Sequence, residues 1–311
     1  MNFICYGAHG WIGTQMTRAL LARGHKITVG FARCENYEEL CKELDSTKPS
    51  FVFCSVGRTH GKHTDGKVYT TIDFLELPGN LELNMRDNFV GPLNLARACK
   101  ERGLKCAYLG TGCIFEYDSQ HKRPANEEEE KEQIDCTALK GFNEDDVPNF
   151  FGSSYSIVKG WTDKQMHTYE DTVLNFRIRM PISREKGSRD FITKITTYQK
   201  VCSIANSMTV LEEIIPIMIH MMEKGTTGTY NMCNPGLITH NQILELYKKH
   251  VNPDFTYENF TVEEQAKILK AGRSNNYLDT TKLESYCKKN KLILNNIVTA
   301  CEINLKEMKS M

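Results

Sequence analysis

Tyr155 and Lys159 stand four residues apart in Tyr155-Ser156-Ile157-Val158-Lys159, so on a helix their phenol and ammonium share one face, about one turn from each other. A phenol with a pKa of about 10 is a poor proton shuttle at neutral pH, and a neighbouring cation lowers that value by favouring the phenolate. The spacing alone arises easily by chance. It gains meaning when a Ser or Thr ends an intervening strand, and Thr111, in Leu109-Gly110-Thr111-Gly112-Cys113-Ile114-Phe115, supplies that member. Its hydroxyl can hydrogen-bond a carbonyl oxygen that Tyr155 protonates. Cys113 follows two positions later and points to the same side as Thr111 if the extended path continues. A buried packing thiol and a reactive one both fit that position.

These groups need a partner for carbonyl chemistry, and the start of the chain offers a place for one. An apolar stretch, Phe3 to Tyr6, runs into Gly7-Ala8-His9-Gly10-Trp11-Ile12-Gly13, which opens directly into a helical pattern. Glycines let the backbone turn tightly and let a pyrophosphate approach the N–H groups of the helix N-terminus. Strand, glycine loop and helix at the start of an α/β chain predict dinucleotide binding through Gly7, Gly10, Trp11, Ile12 and Gly13. The second strand ends Val29-Gly30-Phe31-Ala32-Arg33, with no acid before Glu35. Arg33 is placed to meet a 2′-phosphate, so NADPH is the expected cofactor. Its nicotinamide would give a hydride to the carbonyl that Thr111 and Tyr155 hold.

The elements that must position these groups alternate. Strands are predicted at Phe3 to Tyr6, Lys26 to Gly30, Phe51 to Val56, Lys105 to Leu109 and Val173 to Ile178. Helices are predicted at Ile12 to Arg23, with Met16, Leu20 and Leu21 on one face, and at Leu83 to Arg102 and His240 to His250, and a short Lys-rich helix closes the chain. This rhythm argues for β-α-β units and a parallel sheet. The fold class is therefore α/β, a Rossmann-type doubly wound parallel sheet with a smaller, mostly helical C-terminal substrate domain. Residues 1–176 form the cofactor domain, segments near 202–234 return to it, and 177–311 are largely substrate-binding. Residues 119–147, with Glu127 to Glu130, Pro124 and little apolar content, read as a solvated loop.

Composition narrows the setting. The 39 basic and 39 acidic residues cancel and form no long basic stripe, which argues against nucleic acid. Twelve cysteines are scattered without a CxxC pair, and the chain opens on a strand-like stretch rather than a signal peptide, so a reducing cytoplasm is expected. The longest apolar run, near Ile214 to Met222, is broken by Pro216 and His220 and is too short for a bilayer. No residue set is assigned to a metal, and the one macromolecular partner allowed for is a second copy of the chain, in a homodimer.

With these motifs in place the chain resembles the extended short-chain dehydrogenase/reductase superfamily, and within it the nucleotide-rhamnose synthases. The likeness covers nearly the whole chain. It rests on Gly10-Trp11-Ile12-Gly13, Thr111 to Tyr117, Pro148-Asn149-Phe150, Arg179-Met180-Pro181-Ile182-Ser183, Phe191-Ile192-Thr193-Lys194, Asn206 to Leu211, Asn234-Pro235-Gly236 and Arg273-Ser274-Asn275-Asn276. The chain departs from the plant members in its acidic insertion and in Arg58-Thr59-His60-Gly61. The resemblance implies a 3,5-epimerase/4-reductase acting on UDP- or dTDP-4-keto-6-deoxy-glucose, with Thr111, Tyr155 and Lys159 for reduction and Cys113 with Lys194 for epimerisation. A 4,6-dehydratase of the same fold would carry Asp-Glu directly after the threonine, where this chain has Gly112-Cys113. A non-catalytic relative would usually have lost the tyrosine or the lysine.

The C4 ketone of such a substrate acidifies the protons at C3 and C5, and hydrogen bonds from Thr111 and Tyr155 would stabilise the enolate. A free thiol, with a pKa of about 8.5, is mostly protonated at neutral pH, so Cys113 as base calls for a cation such as Lys194 nearby. Substrate contacts are expected from Asn206 and from Arg273, whose guanidinium can hold diphosphate oxygens bidentately.

Overall fold

The computed structural model describes residues 1–125 and 134–309. The run Glu127 to Glu130 lies outside the described residues. The chain divides into two units. The first comprises residues 1–114, 150–177 and 215–230, and the second 115–149, 178–214 and 231–311.

In the first unit, β1 (Asn2–Tyr6), α1 (Trp11–Ala22), β2 (Lys26–Val29), α2 (Tyr37–Thr47) and β3 (Phe51–Cys54) follow one another. They are followed by α3 (Leu81–Met85), α4 (Gly91–Glu101), β4 (Cys106–Thr111), α5 (Ser154–Met166), β5 (Val173–Ile178) and β6 (Gly228–Asn231). The six strands form one sheet in the order β6-β5-β4-β3-β1-β2, and β2, β1, β3 and β4 run parallel. The central β3, Phe-Val-Phe-Cys, is buried throughout, as a parallel strand covered on both faces must be. In α1, Met16 and Leu20 are buried as expected, whereas Leu21 is 55% exposed and belongs to the solvent side.

The single helix predicted from Leu83 to Arg102 begins at Leu81 and is interrupted by a π-helical turn over Arg86–Val90. Pro92 is the cause. It has no N–H to return to the carbonyl four residues back, and that carbonyl, of Asn88, instead accepts the Thr162 hydroxyl of α5 at 2.6 Å. The defect thus joins the helix to α5, the element that carries Tyr155 and Lys159.

Strand β5 is entirely buried although it contains Asn175 and Arg177. Both reach Asp163 of α5: Arg177 donates twice, Nε at 2.9 Å to one oxygen and Nη2 at 2.7 Å to the other, and Asn175 Nδ2 donates at 2.9 Å. Neither partner of this ion pair is exposed by more than 4%.

The second unit is built on α6 (Phe191–Ile195), α7 (Leu211–Glu223, which ends in the first unit), α8 (His240–His250), α9 (Thr281–Asn290) and α10 (Ile297–Lys309). Ile192, Ile195, Met208, Ile243, Leu244 and Leu305 are among the residues of its core. A capping box of Thr239 and Gln242 fixes the start of α8. The segment expected to be a solvated loop departs from that reading where it is described. Phe142 stacks between Phe115 and His121, with ring centroids 4.5 and 3.7 Å away. The Phe142 carbonyl accepts Asn231 Nδ2 at 2.9 Å, and Glu144 accepts the Asn231 amide. A few buried anchors in a polar stretch carry little periodic signal, which is why composition missed them. Residues 115–149 group with the second unit, and 215–230, inside the range near 202–234 expected to return, group with the first. No helix among the described residues is long and apolar enough to cross a membrane.

Removing one side of a buried ion pair leaves the other charge without a partner, at a cost of about 3–5 kcal/mol. Arg177→Met should lower stability in urea denaturation by that amount. Arg177→Met combined with Asp163→Asn should recover part of the loss; an additive double variant would show that the two residues do not act as a pair.

Candidate active site

Loop Gly7–Gly13 sits against the end of β3. Gly7 adopts φ +79°, and a Cβ on Gly13 would lie 2.1 Å from the Gly7 carbonyl oxygen, so both positions exclude any side chain. Gly10 is the N-cap of α1 and offers no side-chain cap, leaving the first-turn N–H groups of the helix available to an anion. Trp11 and Ile12, half-buried, form that turn. These features fit a dinucleotide pyrophosphate. A hollow of about 340 Å³ flanks the same helix, lined by His9, Thr14, Thr17, Arg18 and Val29 among others; it includes none of Thr111, Cys113, Tyr155 or Lys159.

Arg33 lies in the loop after β2 and is 59% exposed. It is paired with Glu35 at 2.9 Å and approaches Asp87 at 3.8 Å. Arg58 and Arg86 also engage Asp87, and despite the cost of its burial these two guanidinium groups hold the Asp87 carboxyl below its usual range. The end of β2 therefore faces three arginines and two carboxylates. Arg86 was not singled out in the sequence and Arg58 only as part of Arg58-Thr59-His60-Gly61, since their meeting at Asp87 joins distant positions.

Strand β4 ends at Thr111, and the chain turns at Cys113. The extended path that would have aligned Cys113 with Thr111 is thus absent, and the Cys113 amide instead donates to Thr111 Oγ1 at 3.1 Å. The turn still keeps the half-buried Cys113 thiol close enough to Tyr155 to act on it. Burial, and then Cys113, push the Tyr155 phenol well above its ordinary pKa, while a hydrogen bond with Thr111 works the other way. Lys159 was expected to lower Tyr155. Instead its ammonium donates to the hydroxyl of Tyr108 and, at 3.4 Å, to the carbonyl of Leu109. Burial lowers the Lys159 pKa from 10.5 to about 8, against the raising influence of Cys54, Asp163 and Cys113.

Tyr155, Lys159 and Asp163 recur every four residues along α5, so the Tyr155–Lys159 row continues into the buried Arg177 ion pair. That 4-4 spacing was a usable sequence signal for Asp163. Tyr108 carried none, because it lies an odd number of residues from Thr111 and so faces the other side of the strand.

The remaining predicted site residues are in the second unit. Lys194, on α6, is half-buried rather than solvated, and its pKa is lowered by burial first and then by Arg189 and Arg273. Arg273 donates to the Ala271 carbonyl at 2.8 Å. Asn206 is wholly buried and saturated within the protein: Oδ1 accepts from Arg179 and from the Asn276 amide, and Nδ2 donates to Asn275 and to the Ile204 carbonyl. It has no polar atom left for a ligand. All twelve cysteines are free thiols, and among the described residues no group of His, Cys, Asp and Glu could hold a metal ion.

Residues 4–140 match the NAD dependent epimerase/dehydratase family. The chain is 46% identical over 285 residues to protein L780 of Acanthamoeba polyphaga mimivirus, covering 92% of each. It is 41% identical to the bifunctional dTDP-4-dehydrorhamnose 3,5-epimerase/dTDP-4-dehydrorhamnose reductase of Arabidopsis thaliana, over 91% of this chain and 87% of the relative. The crystal structure of the L780 UDP-rhamnose synthase superposes with a TM-score of 0.89 at 42% identity, covering 99% of both chains.

The depressed Lys159 has a consequence for folding. Between about pH 8 and 10.5 the unfolded chain holds a proton that the folded one has shed, so stability rises with pH through that window and the cost of burying the charge is fully present below it. The stability difference between Lys159→Met and the parent should change by roughly 3 kcal/mol between pH 7.5 and 10.5, at about 1.36 kcal/mol per pKa unit. Paired urea titrations across that range measure it; a difference independent of pH would mean that Lys159 is not depressed.

Proposed function

The chain belongs to the nucleotide-rhamnose synthases, within the NAD dependent epimerase/dehydratase family, and from that membership we propose that it converts UDP- or dTDP-4-keto-6-deoxy-glucose to the L-rhamnose nucleotide. The work is divided between 3,5-epimerisation and reduction at C4. The observation that carries the reading is the thiol of Cys113 beside the Tyr155 phenol, since a simple ketone reductase needs a proton donor there but no thiol.

Cys113 removes the protons at C3 and C5 that the ketone acidifies, and Lys194 supplies the protons that replace them. A lysine whose pKa is depressed by burial and by two arginines releases a proton more readily than a solvated one. Thr111 and Tyr155 hydrogen-bond the C4 oxygen while it carries enolate charge. In the reductive step Tyr155 gives that oxygen a proton. Arg273 takes the diphosphate, and Asn206, saturated internally, positions the Arg273–Asn276 stretch rather than touching substrate.

The Gly7–Gly13 loop and the open first turn of α1 would hold the pyrophosphate of NADPH, and Arg33, with Arg58 and Arg86 behind it, its 2′-phosphate. Bound there, the cofactor supplies the hydride for C4. The free thiols suit a cytoplasmic setting.

Incubation with UDP-4-keto-6-deoxy-glucose and NADPH, followed by NMR of the product sugar, tests the whole reading; failure to form rhamnose from either nucleotide would reject it. Variants then separate the steps. General acid catalysis contributes about 10²–10⁴ in rate, so Tyr155→Phe should slow reduction by that order while solvent deuterium still enters C3 and C5. Cys113→Ser should do the reverse, because a serine alkoxide is too scarce near neutral pH to act as base. Full deuterium incorporation in Cys113→Ser would assign the base elsewhere.

Cofactor choice is a separate test. Arg33→Ala should erode the NADPH over NADH preference in kcat/KM by about 1.5–3 kcal/mol, the range for a hydrogen bond to a charged group. An unchanged ratio would remove Arg33 from cofactor selection.

A further inference from the structure

Lys159 and Tyr108 are both buried, at 4% and 3% exposure. The ammonium donates to the phenol oxygen and also sits 4.5 Å from the centroid of the same ring. A buried ammonium needs acceptors for its N–H groups and a compensating charge or π face. The charged and titratable groups facing it are Cys54 from β3, Cys113 from the turn after β4, and Asp163 from its own helix. None of these is a hydrogen-bond partner of the ammonium. The Asp163 carboxylate already receives two bonds from Arg177 and one from Asn175. Direct contact with Lys159 therefore falls to Tyr108 and the Leu109 carbonyl, both on β4.

We propose that Tyr108 is the positioning residue for Lys159, its hydroxyl fixing where the ammonium sits and holding it in the charged form. Tyr108 has no contact with the reacting atoms and acts only through Lys159. The proposal rests on the reading that Lys159 serves the reductase centre. Removing the hydroxyl takes away an acceptor that favours the cation, so the Lys159 pKa falls further from its ordinary value.

The test follows the 13Cε resonance of Lys159 against pH in protein carrying 13C-labelled lysine, the signal being identified by its loss in Lys159→Arg. The parent should titrate near pH 8, Tyr108→Phe about one unit lower, consistent with an acceptor bond to a charged group, and Tyr108→Leu, which lacks the same hydroxyl, lower by a similar amount. In NADPH oxidation with the keto-sugar nucleotide, the basic limb of the kcat profile should move down by the same amount, with KM for the nucleotide sugar unchanged. An unshifted Lys159 titration in folded Tyr108→Phe overturns the proposal, and this variant decides alone if Tyr108→Leu does not fold. A parent protein that titrates as described but does not reduce the keto-sugar would instead reject the reductase reading and leave the Tyr108 result standing.

Discussion

The burial of the Lys159 ammonium is the constraint around which the first unit is organised. A cation removed from water must be held by dipoles and opposite charge or lose its proton, and Lys159 is pressed toward the second outcome. Its neighbours can be understood from this. Asp163, one turn further along α5, would by itself be a costly buried carboxylate, and it is paired with the fully buried Arg177 of β5. Asn175 shares that carboxylate, and its Oδ1 would lie 2.3 Å from a Cβ on Gly110, so β4 needs a glycine just before Thr111. The π turn forced by Pro92 anchors α5 from the other side through Thr162. The reactive end of α5 is thus held by polar contacts along its length rather than by an apolar stripe alone.

Much of this unit could be read from the sequence, because its signals are local. The glycine loop, the strand cores and the Tyr155–Lys159 spacing follow from short-range geometry, and β5 and α8 fall on the predicted residues. What escaped depends on packing between distant segments. The Arg33, Arg58 and Arg86 group, the Tyr108 contact and the burial of Phe142 and Glu144 each join positions tens of residues apart. The expectation that Lys159 would depress Tyr155 failed for the same reason: helical spacing put the two on one face, but a residue on β4 took the ammonium.

In the second unit a different buried cation explains why several of the motifs shared with relatives occur together. Arg179 is 1% exposed and has no carboxylate partner among the described residues. It donates instead to Asn206 Oδ1 at 2.6 Å and to the Ser274 carbonyl at 2.8 Å. Ser274 Oγ and Asn276 Nδ2 in turn both donate to the Phe115 carbonyl. Arg179-Met180-Pro181, Asn206 and Arg273 to Asn276 are therefore parts of one clamp, with Met180 at φ +38° held in the left-handed region between Arg179 and Pro181. From sequence Asn206 looked like a ligand because it belongs to a specific motif; the specificity lies in closing this network.

The protonation states of the reactive groups then bear on the division of labour. Burial raises Tyr155, and negative charge on Cys113 raises it further, so the phenol stays protonated through neutral pH. A group in that condition is suited to give a proton and poorly suited to take one. Lys194, depressed by Arg189 and Arg273, is by contrast adjusted toward release. Tyr155 is thus adjusted to hold its proton and Lys194 to release one, the contrast that the proposed division between reduction and epimerisation calls for.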